Sequence, residues 1–445
     1  MGKRLIVVLA LALIVGLTFS AAYAEVQNVK VSGDILASGV ARNHFNLNNR
    51  ATAGDKSVLK QNFLMSQVRV RIDADLTDNV MTTVRLINER IWNGQNDTGV
   101  ANTNNGNIDL DLAYVTLKEF LYSPLTLTVG RQEIKFGNGL LIGNAKIMGT
   151  SSIPTDLSEQ KAFDAIRATL NYDPLVVDLV YAQIKQANTV DRNTISLTGV
   201  NATYAINKKT DVSAYYWLKR NNNNAVGLAT RPDQLSTIGA LISASPIEDL
   251  VASLEAAYQF GRNAESALQK NHNAWAIQAM ADYTFAKVKT TPKIGASFTH
   301  LSGGKVNPGN KDNSGWDVMF YDQKLNNIVY TLLPFSNMNA YNLRGSMKPV
   351  DDITVSLVYG YYDVAQKNAA AFTAPHTYDN GAAYLATTVY TGKRHLGEAL
   401  DATVTYDYTE DVQLAVTGGY FIPGKALVES STNAGQLIGS MKVTF

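Results

Sequence analysis

The chain contains no cysteine. That excludes a disulfide framework, a thiolate zinc site and a Cys-x-x-Cys-His haem attachment in any compartment. Charge is scarce as well: 17% of the 445 residues are Asp, Glu, Lys or Arg, with 39 basic against 38 acidic. Phosphate recognition along a nucleic acid needs a surplus of Lys and Arg on one surface, so nucleic acid is excluded as a partner. The histidines, His44, His272, His300, His376 and His395, are scattered, and none has the His-x-x-x-His or Glu-x-x-His spacing of a metal site. No cofactor is implied. Beyond residue 24 no run of 18 apolar residues occurs, so no transmembrane helix is expected in the body of the chain.

Residues 1–24 read as an export signal. Lys3 and Arg4 are followed by an apolar run from Leu5 to Phe19 and by Ala22-Tyr23-Ala24, a small-x-small cleavage site. A membrane-anchoring helix would need about 20 apolar residues and would not end in a processing site. Removal takes Lys3 and Arg4 away and leaves 37 basic against 38 acidic residues in a mature chain, 25–445, treated as one domain.

The mature chain alternates with period two. Val68-Arg69-Val70-Arg71-Ile72-Asp73-Ala74-Asp75-Leu76 puts every charge on one strand face and every apolar group on the other, where a helix would mix them. The pattern returns at Ile108-Asp109-Leu110-Asp111-Leu112, Leu175-Val176-Val177-Asp178-Leu179, Ile353-Thr354-Val355-Ser356-Leu357 and Leu400-Asp401-Ala402-Thr403-Val404. Strands are predicted to begin near Lys30, Lys60, Val80, Ile108, Leu125, Phe163, Leu175, Thr194, Val212, Leu235, Leu250, Ala274, Lys293, Asn339, Ile353, Glu398, Val412 and Gln436, eighteen in all. Breaks such as Thr77-Asp78-Asn79, Asp173-Pro174 and Glu410-Asp411 carry tight-turn residues and come after the even-numbered strands; most connections after odd-numbered strands are long, Ser302 to Phe335 among the longest. This rim asymmetry predicts an all-β, transmembrane, antiparallel up-and-down barrel in the outer membrane, with short periplasmic turns and long extracellular loops.

A soluble sandwich would also alternate, but it must fill one buried core and has no long and short rim. Here the face opposite the apolar one carries Arg69, Arg71, Asp73, Arg85, Glu89, Asp109, Asp111, Asp178, Arg344 and Asp401. An arginine on the lipid side at the midplane costs about 2–4 kcal/mol, so this face is expected to line a wet lumen. Tyr172, Tyr204, Tyr283, Phe285, Tyr406 and Tyr408 fall just before short turns, where an interfacial girdle would sit. The last residue, Phe445, ends an alternating strand, resembling the signal read by the barrel assembly machinery. Lipid and lipopolysaccharide are the expected surroundings, and association of three barrels is left open.

Leu127-Thr128-Val129-Gly130-Arg131-Gln132-Glu133, Phe136-Gly137-Asn138-Gly139-Leu140-Leu141-Ile142-Gly143 and Phe163-Asp164-Ala165-Ile166-Arg167 resemble the signature of the alginate export family. The likeness in order and spacing is best over 68–170, with Gly315-Trp316-Asp317-Val318-Met319-Phe320 as a family-like loop. The resemblance implies an 18-stranded outer-membrane barrel with an arginine-rich lumen that passes an anionic polysaccharide; many proteins with this domain are porins.

Two functions are compatible with this pattern. The first is a passive channel for small hydrophilic or anionic solutes, uronate-type saccharides among them, with Arg69, Arg71, Asp73, Arg85, Glu89, Asp109, Asp111, Arg131, Arg167 and Arg344 lining the pore. These charges could also simply pair with one another. Strict alternation from Leu125 points Arg131 outward unless Gly130 marks a bulge that resets the parity. Segments 137–162, 302–335 and 365–396 are candidates for a constriction or lid. The second is a sleeve around a secretion component or a periplasmic electron-transfer partner. Catalysis is not expected: Asp73/Asp75 and Asp109/Asp111 share faces as catalytic carboxylates do, but a luminal face writes the same pattern and no nucleophile converges on them. Asn310 to Gly315 lacks the spacing of a calcium loop and reads as a turn.

Overall fold

A computed structural model describes residues 28–45, 47, 60–92, 108–145, 153–186, 194–222, 233–263, 270–304, 312–367, 392–427 and 432–445. The proposed export signal, His376 and most of 365–396 lie outside the described residues. In chain order the elements are β1 (Asn28–Asn43), β2 (Lys60–Thr77), β3 (Val80–Ile91), β4 (Asp109–Leu117), β5 (Leu125–Gln132), β6 (Phe163–Asn171), β7 (Leu175–Gln186), β8 (Thr194–Asn207), β9 (Thr210–Asn221), β10 (Asp233–Ala244), β11 (Leu250–Asn263), β12 (Lys270–Thr284), β13 (Lys293–Leu301), the two-residue β14 (Asp312–Asn313), α1 (Asn327–Leu332), β15 (Met338–Val350), β16 (Ile353–Val364), β17 (His395–Asp407), β18 (Val412–Pro423) and β19 (Ala434–Thr444).

Each long strand pairs antiparallel with its neighbours in sequence, β13 pairs β15, and β1 pairs β19, so 18 strands close into a barrel. Closure leaves no sheet edge, which is what lets a sheet sit in hydrocarbon. Every expected strand start lies on or inside an observed strand except Ile108, one residue before β4. The seam is tied at its end by Phe445, whose N–H donates to the Gly33 carbonyl at 3.0 Å while Gly33 N–H donates back at 2.8 Å. β14 lies outside the ring and runs parallel to β12, Asp312 opposite Asn271 and Asn313 opposite His272, within the stretch read as a turn. No helix among the described residues is long and apolar enough to cross a membrane.

Register fixes the two faces. The lateral row Val200, Tyr216, Ile238, Tyr258, Trp275 runs across β8–β12, and the row below it is Ala202, Ala214, Ala240, Ala256, Ile277. Tyr216, Ile238, Tyr258 and Trp275 are exposed, as are Val29, Ile35, Val129, Ile166, Leu343, Leu400 and Leu437 on the same face of other strands. This apolar surface is the hydrocarbon contact of an outer-membrane barrel. Tyr172, Tyr204, Tyr406 and Tyr408 are exposed near the short turns, and Tyr283–Phe285 and Tyr406–Tyr408 pack edge to face, as a girdle requires.

The inner face differs from the expected wet wall. Towards the long-loop rim, Val180, Ala182, Leu197, Trp217, Leu235, Ala257, Ala276, Leu301, Ala340, Val364 and Phe421 are buried in one cluster with Leu140–Ile142, Trp316, Phe320 and Ile328–Leu333. The long β5–β6 and β13–β15 connections therefore fold into the lumen and build an apolar core there. The reason is physical: such strands are covered on both sides, by lipid outside and by the in-folded chain inside, so both faces are apolar.

Candidate functional site

The constriction is made by the segment after Gln132 and the segment after Leu301. Gln132 ends β5 with its side chain inward and buried; Gly137, at φ +54°, then turns the chain back on itself, a conformation that favours glycine. Asn138 Nδ2 donates to Ser253 Oγ at 3.1 Å and holds this turn against β11. The two segments join through the Phe320 N–H to the Leu141 carbonyl and the Asn144 N–H to the Phe320 carbonyl, both 2.9 Å, and through an isolated parallel bridge between Ile142 and Phe320. Lys161 Nζ donates to Asp322 Oδ2 at 2.9 Å across the same junction.

Wall side chains latch the second segment. Lys219 Nζ donates to both oxygens of Asp317 at 2.8 Å, and Gln259 brackets the Asp317 peptide by donating to its carbonyl at 2.7 Å and accepting from its N–H at 2.9 Å. Burial raises the Asp317 pKa, but the Lys219 ammonium and the Met319 N–H outweigh it and hold the carboxyl below its ordinary range. The short helix α1 is capped by Asn326, whose Oδ1 accepts from Val329 N–H at 3.1 Å, and its Asn327 N–H donates to Asp401 on β17. Arg42 on β1 donates through Nη2 to Asp156 Oδ2 at 2.5 Å in the first segment, a pair almost wholly buried. Lys324, whose side chain stays exposed, donates to the Asp156 carbonyl at 2.9 Å.

Most sequence-predicted site residues face the lumen, each with a partner. Arg69 sits inward and is held by Asp34 on β1. Arg71 pairs along its own strand with Asp73 at 2.7 Å, and Asp73 also accepts from Thr83 Oγ1 at 2.6 Å. Arg85 donates to Asp111 at 2.5 Å and to Glu133. Asp111 is the extra residue of a bulge between Leu110 and Leu112 in β4, which turns it onto Arg85. Glu89 is buried and accepts from Gln67 at 2.8 Å, Ser158 Oγ at 2.7 Å and the Glu159 N–H at 2.7 Å, so it anchors the in-folded segment. Asp109 accepts from Gln160 at 3.1 Å. Arg167 pairs with Asp178 at 2.8 Å and Arg344 with Asp282 at 3.1 Å, both inward by register.

Arg131 is the exception. The pairing runs unbroken through Gly130 despite its φ of +124°, placing Arg131 opposite Ala113 and Asp164 and alternating with inward Gln132 and Phe163. It is on the outer face, bound to exposed Asp164 at 3.1 Å, so pore lining is corrected to the outer surface. The luminal arginines thus form ion pairs rather than a free basic ladder. Glu133, Lys135, Glu159 and Lys161, which share this constriction, were not among the sequence-predicted site residues; their signal was their position in or beside a segment read as a constriction candidate and, for Glu133, its place in the family-like run from Leu127.

No group of three or more His, Asp and Glu side chains among the described residues is set to hold a metal ion. His272 is buried and shares a hydrogen bond with Gln259 Oε1 at 3.2 Å, and His300 stacks on Trp275 on the outer face.

Comparison with solved structures finds the same architecture. Pseudomonas aeruginosa OpdK with vanillate is 10% identical, covering 94% of this chain and 99% of that one, with a TM-score of 0.54. Acinetobacter baumannii OccAB2 is 10% identical over 96% and 99%, TM-score 0.56, and Pseudomonas aeruginosa OpdL is 12% identical over 94% and 99%, TM-score 0.57. No curated protein matches the sequence. The alginate export family matches over residues 37–439, nearly the whole barrel. The chain belongs to the alginate export family, as an outer-membrane barrel of porin type.

Proposed function

We propose that the chain is a passive channel for small hydrophilic solutes, with organic anions, uronate-type saccharides among them, as the preferred class. The observation that carries this reading is the asymmetry of the constriction. On the β8–β18 side the in-folded segments pack against an apolar wall, whereas on the β2–β5 side the side chains of Glu159 and Glu133 remain between a third and a half exposed beside Arg69 and Arg85. Water therefore reaches a charged strip along one side of the lumen, and guanidinium groups suit carboxylate oxygens in such a strip. The aryl carboxylate vanillate named with OpdK is a solute of the same chemistry.

The sleeve reading is disfavoured by the same apolar core: a partner threaded through the barrel would have to expel Trp316, Phe320 and the α1 residues from a packed interior. Purified protein in a planar bilayer tests the proposal. Steady ion-selective current, reduced by uronate oligomers, is expected; a barrel silent without a partner would sink it.

A further inference from the structure

Arg69 and Arg85 each hold two carboxylates of unequal standing. One belongs to the wall: Asp34 accepts from Arg69 Nε at 2.8 Å and Nη2 at 2.5 Å with its side chain 12% exposed, and Asp111 accepts from Arg85 Nε at 2.5 Å with its side chain 0% exposed. The other belongs to the in-folded β5–β6 segment. Glu159 approaches Arg69 Nη1 only to 3.6 Å and is 38% exposed; Glu133 accepts from Arg85 Nη2 and is 49% exposed.

The buried partners cannot leave without stranding a charge in the wall, whereas exposed ion pairs are weak and exchange with water and salt. The backbone carrying the loose pair is nonetheless fixed. Glu159 N–H and Ser158 Oγ both donate to buried Glu89, and Glu133 comes directly after buried Gln132. The acids are thus presented at set points by a fixed backbone, with side chains that are partly exposed and paired to the arginines. Register puts Arg71 opposite Arg85, so Arg69 and Arg85 are diagonal neighbours on β2 and β3, with backbones about 7–8 Å apart.

We infer that Glu133 and Glu159 occupy the two carboxylate positions of an anion site, and that its external ligand is a small dicarboxylate that displaces both. The inference rests on the channel reading for its place in transport, but not for its existence. On arrival, each solute carboxylate takes one guanidinium edge while Glu133 and Glu159 swing into water; no bond other than hydrogen bonds is made or broken. A monocarboxylate satisfies one arginine and leaves the other glutamate in place.

Calorimetric titration of succinate into the detergent-solubilised full chain, with acetate as the one-point probe, tests this at low ionic strength. Glu133→Gln and Glu159→Gln keep side-chain shape and remove charge. In the double variant succinate Kd is expected to fall about tenfold and acetate Kd about threefold or less, both differences shrinking as salt is added. The single Glu159→Gln variant, whose side chain makes a loose 3.6 Å contact to Arg69 and is 38% exposed, should show about a third of the succinate gain. An unchanged succinate Kd in both variants overturns the inference, and equal tightening for acetate and succinate overturns its two-point character. Tightened succinate binding by a barrel that conducts no ions would retain the site and reject the channel reading.

Discussion

Phe320→Ala isolates the packing that narrows the lumen. The ring is buried, stands edge-on to Phe163 of β6 with centroids 5.9 Å apart, and lies 5.9 Å from Lys219 Nζ. Truncating a phenylalanine in a packed interior costs about 3–5 kcal/mol, the lost transfer energy plus the cavity left behind. The backbone bonds of residue 320 to Leu141 and Asn144 survive the change, and the strand pairing of the wall does not depend on the ring. The cost therefore falls on seating of the two segments. At about 1.4 kcal/mol per tenfold, a loss of about 3 kcal/mol raises the unseated fraction roughly a hundredfold. Hydrogen exchange should show the amides of residues 320 and 144 exchanging about that much faster, with β9–β12 amides unchanged and single-channel conductance larger and noisier. Uniform acceleration throughout the wall, or no change at residues 320 and 144, would refute the assignment of this core to the in-folded segments alone.

Arg131→Ala, altering an outer-face pair with Asp164, should leave reversal potential in a salt gradient unchanged and stability within about 1 kcal/mol; a shifted reversal potential would place Arg131 in the pore after all. The latch at Asp317 predicts an acid limit. Its carboxyl is held below the ordinary range, so its contribution is full above the unfolded value near pH 4 and is lost as pH falls through the lower folded value. Emission of buried Trp316 should stay constant from pH 7 to about 4 and shift to the red below it, while Asp317→Asn should be shifted already at pH 7 and lack the acid step.

Strand positions were legible because lipid on one side and water on the other force a period of two, as in Val68 to Leu76. Parity alone would have placed Arg131: the unbroken count from Leu125 gives the outer face that the pairing with Asp164 shows, whereas allowing a bulge at Gly130 put the residue among the pore-lining candidates. The luminal core was not legible as such. Leu140-Leu141-Ile142 and Ile328 to Leu333 are short apolar runs inside long connections, and which wall they meet is set by tertiary folding. A local trace did exist, since Val180-Tyr181-Ala182 and Ala274-Trp275-Ala276-Ile277 lose their polar alternation where the in-folded chain covers the inner face. The pairing of Arg85 with Asp111 depends on a bulge at Asp111, and the path of the in-folded segment on a turn at Gly137, neither of which periodicity encodes.

The absence of native cysteine allows single spin labels to be placed cleanly along β7 from Val176 to Tyr181, read for collision with oxygen and with an aqueous nickel chelate. The account predicts oxygen access at 177, 179 and 181, nickel access at 176, and protection from both at 178 and 180, where Asp178 is buried against Arg167 and Val180 lies in the luminal core. Nickel access at 177, 179 and 181 would contradict the claim that this face meets hydrocarbon.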